Sequence, residues 1–415
     1  MINPAFDPTS GDTSKRSSTV STPLYASSKA GDMSVENKTT VIVGAGSTGL
    51  WTAYHLAHAN RRAGLSSSTT IIVIEASASV FGETSKSCAG CIHYEFNDKF
   101  MDKFGTYSFA SWRDSAESNE LCDTAGLRFD SIFGLTKNDG DGQALLSDWL
   151  RTNDAWGEHV VHASPSYANQ IRWINPAGPG KWPKRACIDI NVRIGTFTRV
   201  TAVVLDEANQ ATTVVVVQED TSEVRIPCDN FVLAGGLWTP MVDKTLSPSS
   251  SIQIVSATEA GDWIVIQSQH PVVRKSVAFG GLNDIVGEKL KFASRNDGTI
   301  WTWGAKDQNG TQPPLCSRSP PDAAKFADLT HRAYRILCVN NAEGPDAFKE
   351  LEFIVLGRAF RPVTLSGCPM MTVDEPDKLS HRDCLHVDGR RGNVFLCCRH
   401  GSWGLTLGPG TAWES

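Results

Sequence analysis

The sequence predicts an α/β fold, a parallel sheet opened by a βαβ unit with a second, largely antiparallel sheet inserted into it. Three observations predict it. A strand, a glycine turn, an apolar helical stripe and a second strand follow one another between Thr39 and Glu75. The runs "TAVVLDE", "TTVVVVQED" and "EVRIP", between Thr201 and Pro227, are split by short polar turns and read as a three-stranded meander. Later, "DWIVIQS", "GTIWTWGA" and "LEFIVLGRAFRPV" read as strands of the second sheet, with "DAAKFADLTHRAYRIL" as a helix among them.

The first unit carries the clearest chemistry. In "VIVGAGSTGLWTAYHLAHAN" an apolar strand runs into Gly44, Gly46 and Gly49, and Leu50, Ala53, Tyr54 and Ala57 then form an i, i+3, i+4, i+7 stripe. Gly44 permits the tight turn, Gly46 lets backbone approach a pyrophosphate, and Gly49 allows close helix–strand packing. Ser47 and Thr48 open the helix, whose N–H groups and dipole favour phosphate. "TTIIVIEAS" is continuously apolar, as a fully buried parallel strand should be, and ends in Glu75 and Ala76. A carboxylate there accepts hydrogen bonds from ribose hydroxyls and disfavours a 2′-phosphate. Flavin and nicotinamide dinucleotides share this fingerprint, so the choice falls to the rest of the chain.

Bulk properties narrow the classes. The 415 residues carry a net charge of −6, which argues against a nucleic-acid binder. Fourteen of the first forty residues are Ser or Thr, so residues 1–38 read as a disordered leader. The longest uncharged stretch, around Gly44–Gly49, is too rich in Gly, Ser, Thr and His for a membrane span. Eleven cysteines, an odd number, fit reduced thiols and a cytoplasmic protein, with mitochondrial or peroxisomal placement left open. Cys88 and Cys91 form a lone CxxC without a second ligand pair, so no metal site is expected.

Several ordered motifs carry a resemblance: "VIVGAGSTGLWTAYHLA", "VIEAS", "SCAGCIHYEF", "DNFVLAGGLWTP", "DGTIWTWGA", "GRAFRPVTLSGCP" and "HGSWGLTLGPGT". Together, over most of Thr39 to Trp413, the chain resembles the FAD-dependent oxidoreductases of the D-amino-acid oxidase and sarcosine oxidase superfamily, particularly its uncharacterised fungal members. The resemblance implies a Rossmann-like FAD-binding domain with an inserted antiparallel-sheet substrate domain. Its implied segments are FAD-binding at 39–110, 186–245 and 363–415, and substrate-binding at 111–185 and 246–362. It implies that Ser87, Cys88 and Gly90 wrap the cofactor and that the Val200 backbone meets the adenine edge. Gly236 and Trp238 match its glycine-then-tryptophan pair. His400, Gly401, Trp403, Gly404 and Leu405 match the turn whose backbone N–H groups face the flavin N1–C2=O side. The implied chemistry is oxidation of a small amine or amino acid, with oxygen or another acceptor taking the electrons. Cys368 stands in a context that implies non-covalent FAD.

For the substrate, Arg361 offers a planar fork that binds a carboxylate bidentately or, alternatively, holds a domain interface. Arg295 is a second candidate. Trp301 and Trp303 share one strand face, lining an apolar pocket or packing a core. His93 and His270 read as surface or interface histidines. Departures from the family pattern are a short 174–198 segment, Arg399 where a small residue usually precedes His400, Ala412 in place of a frequent glycine, and an end at Ser415 ahead of an expected terminal helix. They favour a second reading, a non-catalytic FAD-binding interaction protein or a degraded oxidase copy.

Overall fold

The structure is a computed structural model. It describes residues 38–92, 96, 98–116, 128–134, 171–173, 181–205, 211–247, 252–254, 258–267, 277–283, 289–294, 299–308, 310–315, 317, 319–337, 352–374 and 393–414. Residues 1–37 of the leader, Arg295, His93 and His270 lie outside them, while Lys38, its last residue, opens the first strand.

Strands β1 (Lys38–Val43), β2 (Thr69–Ile74) and β10 (Asn230–Leu233) are short, apolar and almost wholly buried. With β6 (Arg193–Gly195), β16 (Met370–Asp374) and β17 (Asn393–Cys398) they form a sheet of order β16-β17-β10-β1-β2-β6. All its pairings are parallel except β16 with β17. Continuous apolar runs are what strands covered on both faces require. Asp229 pins the start of β1 to β10: its carboxylate accepts the Thr39 N–H at 2.6 Å, while its own N–H donates to the Thr39 carbonyl at 2.7 Å. The predicted meander is present as β7 (Arg199–Leu205), β8 (Ala211–Val217) and β9 (Glu223–Pro227), all antiparallel.

Helix α1 (Ser47–Arg62) buries Leu50, Trp51, Ala53 and Ala57 against the parallel sheet, as the stripe requires. Two more helices, α2 (Lys99–Ala116) and α3 (Lys181–Asp189), complete this side, α3 packing on α1. A short helix α4 (Thr239–Leu246) follows β10, with proline in its first turn.

The last segment forms a helix: in chain order after α5 (Ala323–Leu337), α6 spans Gly404–Glu414 and packs on α1 and α2. Its "GLTLGPGT" composition suits a packed rather than an isolated helix. A Cβ at Gly408 would lie 2.5 Å from Ser47 Oγ, and one at Gly410 would lie 2.3 Å from Ser108 Oγ. Those glycines let three helices meet, and the contact is sealed by Trp112 Nε1–H donating to the Leu405 carbonyl at 3.2 Å.

The second sheet has the order β15-β11-β14-β13-β12-β4-β5-β3. It comprises β3 (Cys91–Ile92), β4 (Arg128–Gly134), β5 (Ile171–Trp173), β11 (Thr258–Gln267), β12 (Val277–Asn283), β13 (Lys289–Ser294), β14 (Thr299–Asp307) and β15 (Glu352–Pro362). Only β12 with β4 is parallel. The strand Cys91–Ile92, within the 39–110 segment, pairs into this sheet before α2 returns the chain to the parallel one.

On one face of this sheet a buried ion network anchors α5. Arg358 bonds Asp262 Oδ2 at 2.8 Å and also Asp307, which Lys325 meets at 2.6 Å. Asp322 caps α5 by accepting the Ala324 and Lys325 N–H groups. Burial pushes the Asp262 carboxyl up, and Arg358 opposes that shift. Arg358→Met would leave Asp262 in the interior without its cation, and Asp307 with Lys325 alone, and is expected to destabilise the fold by about 3–5 kcal/mol. Chemical denaturation measures it; a loss below about 1 kcal/mol would show the network to be dispensable.

Candidate functional site

The carboxyl ends of β1, β10 and β17 lie side by side, and each strand runs into a glycine turn: Gly44–Gly46, Gly235–Gly236 and, after Arg399, Gly401. Ligands of open α/β sheets bind in the crevice outside such strand ends. Here a cleft of about 810 Å³, including its open mouth, is lined by Gly44, Gly46, Glu75, Ala76, Thr198, Val200, Gly236 and Trp238, among others. Seven of these eight were singled out from the sequence.

The three glycines of the first turn divide the work. Gly44 has φ +102°, and a Cβ there would lie 2.3 Å from the Ala234 carbonyl oxygen. Gly49 carries the helix onto the strand, since its Cβ would lie 1.8 Å from the Gly44 oxygen. Gly46 faces the cleft, with only Ser85 Oγ at 3.4 Å from a Cβ. Glu75 spans the mouth of the turn. Its Oε2 accepts the Ala45 N–H at 2.8 Å, and its Oε1 accepts the Ser77 N–H and hydroxyl at 2.8 and 2.7 Å. Each carboxylate oxygen has two lone-pair sites, so Oε2 retains one for a ribose hydroxyl. Ser85 Oγ accepts the Ser47 N–H at 3.1 Å, occupying a donor at the helix N-terminus where phosphate binds. Ser47 itself is buried, and its hydroxyl makes no hydrogen bond among the described residues. Thr48 is half-buried and uses its carbonyl to accept the Thr52 hydroxyl at 2.9 Å.

The cleft fits a dinucleotide: a glycine floor without side chains, an acid for the ribose, and Gly236, at φ +56° with no atom within 4 Å of a Cβ, opening its far wall.

The loop bearing Ser87, Cys88 and Gly90 crosses to the second sheet. Ser87 N–H donates to the Glu83 carbonyl, Cys88 Sγ lies 3.2 Å from the Ser85 carbonyl, and Gly90 has φ +87°. Thr84 ties this loop to β15 by donating to the Phe360 carbonyl at 2.9 Å.

In the C-terminal turn the side chains serve the scaffold. His400 Nε2 lies 2.7 Å from Thr411 Oγ1, whose proton goes to the Leu407 carbonyl at 2.9 Å, so Nε2 is the donor and the ring is the Nε2–H tautomer. Leu405 enters the core beside α1, and Trp403 stacks edge-on with Phe96 at 5.2 Å. What these positions and Gly401 and Gly404 leave toward the strand ends is backbone. Arg399 is 1% exposed at φ +63°, so the left-handed conformation that normally calls for glycine is kept with a large side chain. That costs about 1 kcal/mol or more of backbone strain.

Burial lowers the His400 pKa to about 4, and burial with His58 and Arg62 does the same for His55. Both folded values lie below the unfolded one, so the neutral rings stabilise the fold above pH 6.5, and that stability is lost as pH falls toward 4. His400 alone is expected to account for about 3 kcal/mol across that window. Melting temperatures of wild type and His400→Gln between pH 7.5 and 4.5 test it; parallel profiles would refute it.

Arg361 stands at the end of β15, two residues before Val363, whose Cγ1 would lie 3.8 Å from a Cβ at Gly401. Its guanidinium lies 4.1 Å over the Trp303 ring and 3.9 Å from Glu259 Oε2, which Lys306 holds at 2.8 Å. Burial pulls the Arg361 pKa down, with Glu259 and Cys88 opposing it. Trp303 and Trp301 are 5% and 4% exposed, the burial that the core-packing alternative calls for, and Trp303 carries the arginine.

Sequence reasoning missed Ser77, Ser85, Thr198, Glu259 and Trp263. One signal was available: glycine inside a strand marks a close approach. A Cβ at Gly261 would lie 2.2 Å from the Trp303 indole nitrogen, and one at Gly357 would lie 2.5 Å from the Trp263 ring.

The family model DAO, FAD dependent oxidoreductase, matches residues 39–414. The chain belongs to that family. The flavoprotein's fold is also that of several solved structures. Glycine oxidase from Bacillus cereus ATCC 14579 is 17% identical, with 90% of this chain and 95% of that one covered at a TM-score of 0.63. L-proline dehydrogenase from P. horikoshii is 13% identical, with 91% and 92% covered at 0.62. L-amino acid deaminase from Proteus vulgaris is 14% identical, with 94% of each chain covered at 0.62. Among curated proteins, none matches. No helix among the described residues is long and apolar enough to cross a membrane.

Proposed function

We propose that this flavoprotein oxidises the C–N bond of a small amine or amino acid. The observation that carries the reading is the placement of Arg361: stacked on Trp303 and two residues before Val363, which meets the Gly401 turn, where a substrate carboxylate would be held against the cofactor. FAD, when bound, would supply the two-electron acceptor for oxidation of the carbon that bears nitrogen.

The chain's own residues do the rest. Gly46 and the helix start at Ser47 and Thr48 would meet the pyrophosphate, the Ser47 N–H once Ser85 yields it, on a turn that Gly44 and Gly49 shape; Glu75 and Ala76 would hold the ribose, Val200 the adenine, and Gly236 with Trp238 the far wall. Ser87, Cys88 and Gly90 wrap the ring side, and the His400–Leu405 backbone offers N–H groups to its carbonyl edge. Arg361 orients the substrate by a bidentate pair, and Trp301 and Trp303 exclude water behind it. Oxygen is the proposed electron acceptor and non-covalent FAD the proposed form, in a reducing, cytoplasmic setting. The three FAD-binding and two substrate-binding segments outlined above are the proposed domain plan.

Anaerobic titration of the purified protein with amines and amino acids, followed at about 450 nm, tests the reading. Bleaching by a member of the panel supports it. A yellow protein that no member bleaches points to the second reading, a non-catalytic FAD-binding protein, which the strained Arg399 favours. A colourless protein that takes up no FAD overturns both.

A further inference from the structure

The nucleotide cleft has one wall that neither its fingerprint nor its parallel sheet supplies. Nearly all its lining residues come from segments 43–85, 198–200 and 234–242, but Leu315 comes from the connection between β14 and α5 on the antiparallel sheet. That connection is fastened to the turn after β10 by two hydrogen bonds. Trp238 Nε1–H donates to the Pro313 carbonyl at 3.0 Å, and Gln312 Nε2 donates to the Leu237 carbonyl at 3.2 Å. Pro313 is buried, Leu315 is half-buried at the cleft, and Ser317 N–H closes a turn onto the Pro314 carbonyl at 3.0 Å. Two successive prolines restrict the unfolded ensemble, so the strap is ordered at small entropic cost.

We propose that the Gln312–Leu315 strap is a cofactor clamp: Leu315 closes the nucleotide half of the cleft and the Pro313 carbonyl fixes Trp238 against it. The proposal rests on the reading that this cleft takes the adenosine diphosphate part of FAD. It goes beyond that reading by making the antiparallel sheet, which carries Arg361, a holder of the nucleotide as well. Substrate sheet and cofactor then share one mechanical element, and loosening the strap releases FAD.

The test measures binding, not turnover. Apoprotein is titrated with FAD by flavin fluorescence and with ADP by calorimetry, for wild type, Leu315→Ala, Leu315→Met and Gln312→Ala. Leu315→Ala is expected to weaken FAD and ADP by the same factor, about tenfold, as loss of part of a leucine's burial implies. Leu315→Met should restore most of it, and Gln312→Ala should cost about threefold by freeing the strap. Unchanged ADP affinity in Leu315→Ala, or a loss for FAD alone, overturns the clamp. If Leu315→Ala does not fold, Gln312→Ala, an exchange at a half-buried loop position, decides by the same criterion. Wild type that binds neither ADP nor FAD overturns the reading of the cleft itself, an outcome distinct from a clamp that fails while wild type binds both.

Discussion

Arg361→Met is expected to leave the protein yellow and to cut kcat/KM for amino acids about 10²- to 10³-fold. The reason is local. The guanidinium is half-buried on the Trp303 ring, and Glu259, 3.9 Å away, is already held by Lys306, so the fork has capacity for a carboxylate. Removing one partner of a desolvated charge pair costs about 2–5 kcal/mol, much of it from leaving the other charge unmatched. Arg361→Lys keeps the charge but loses the planar fork and the stacking, so it should retain only a minor share of the activity. The loss should fall on kcat/KM for carboxylate substrates, while an amine lacking the carboxylate reduces both proteins at similar rates. FAD affinity should not move, because Arg361 does not line the nucleotide cleft. A variant that oxidises amino acids at the wild-type rate would return Arg361 to its other reading, an interface arginine.

How far the sequence could be read depends on the kind of contact. The parallel layer was legible because its strands are covered on both faces and so carry unbroken apolar runs, and because Glu75 ends β2 where the dinucleotide geometry needs an acid. Of the antiparallel sheet, β11, β14 and β15 were legible as strands, but the other five strands and the pairing partners were not: Cys91–Ile92 joins it from within the nucleotide-binding stretch. Ser85 and Leu315 were not legible at all. Each reaches the cleft by tertiary approach of a loop, and no period or spacing in the chain encodes that approach. Arg399 shows the opposite case. The sequence flagged a large residue where a small one is usual, and the backbone takes φ +63° there with the side chain buried.

Substitutions at the first glycine turn are expected to separate folding from binding. Gly49→Ala would bring a methyl to 1.8 Å from the Gly44 oxygen, a backbone atom that cannot yield without lifting α1 off β1. A destabilisation of about 3 kcal/mol or more should follow, with FAD lost because the fold is lost. Gly44→Ala joins the same class through its φ of +102° and the Ala234 carbonyl. Gly46 differs. At φ −76° and ψ −170° its backbone suits any residue, and its Cβ would meet only a serine hydroxyl at contact distance. Gly46→Ala should therefore fold with wild-type stability, or gain a few tenths of a kcal/mol from a less flexible unfolded chain. Its methyl nevertheless projects where the backbone must approach a pyrophosphate, so FAD and ADP affinity should fall about a hundredfold. Urea denaturation and FAD titration of the same three variants give both quantities. If Gly46→Ala bound FAD as wild type does, the pyrophosphate would have to lie elsewhere, and the placement of the cofactor on the β1 turn would be wrong.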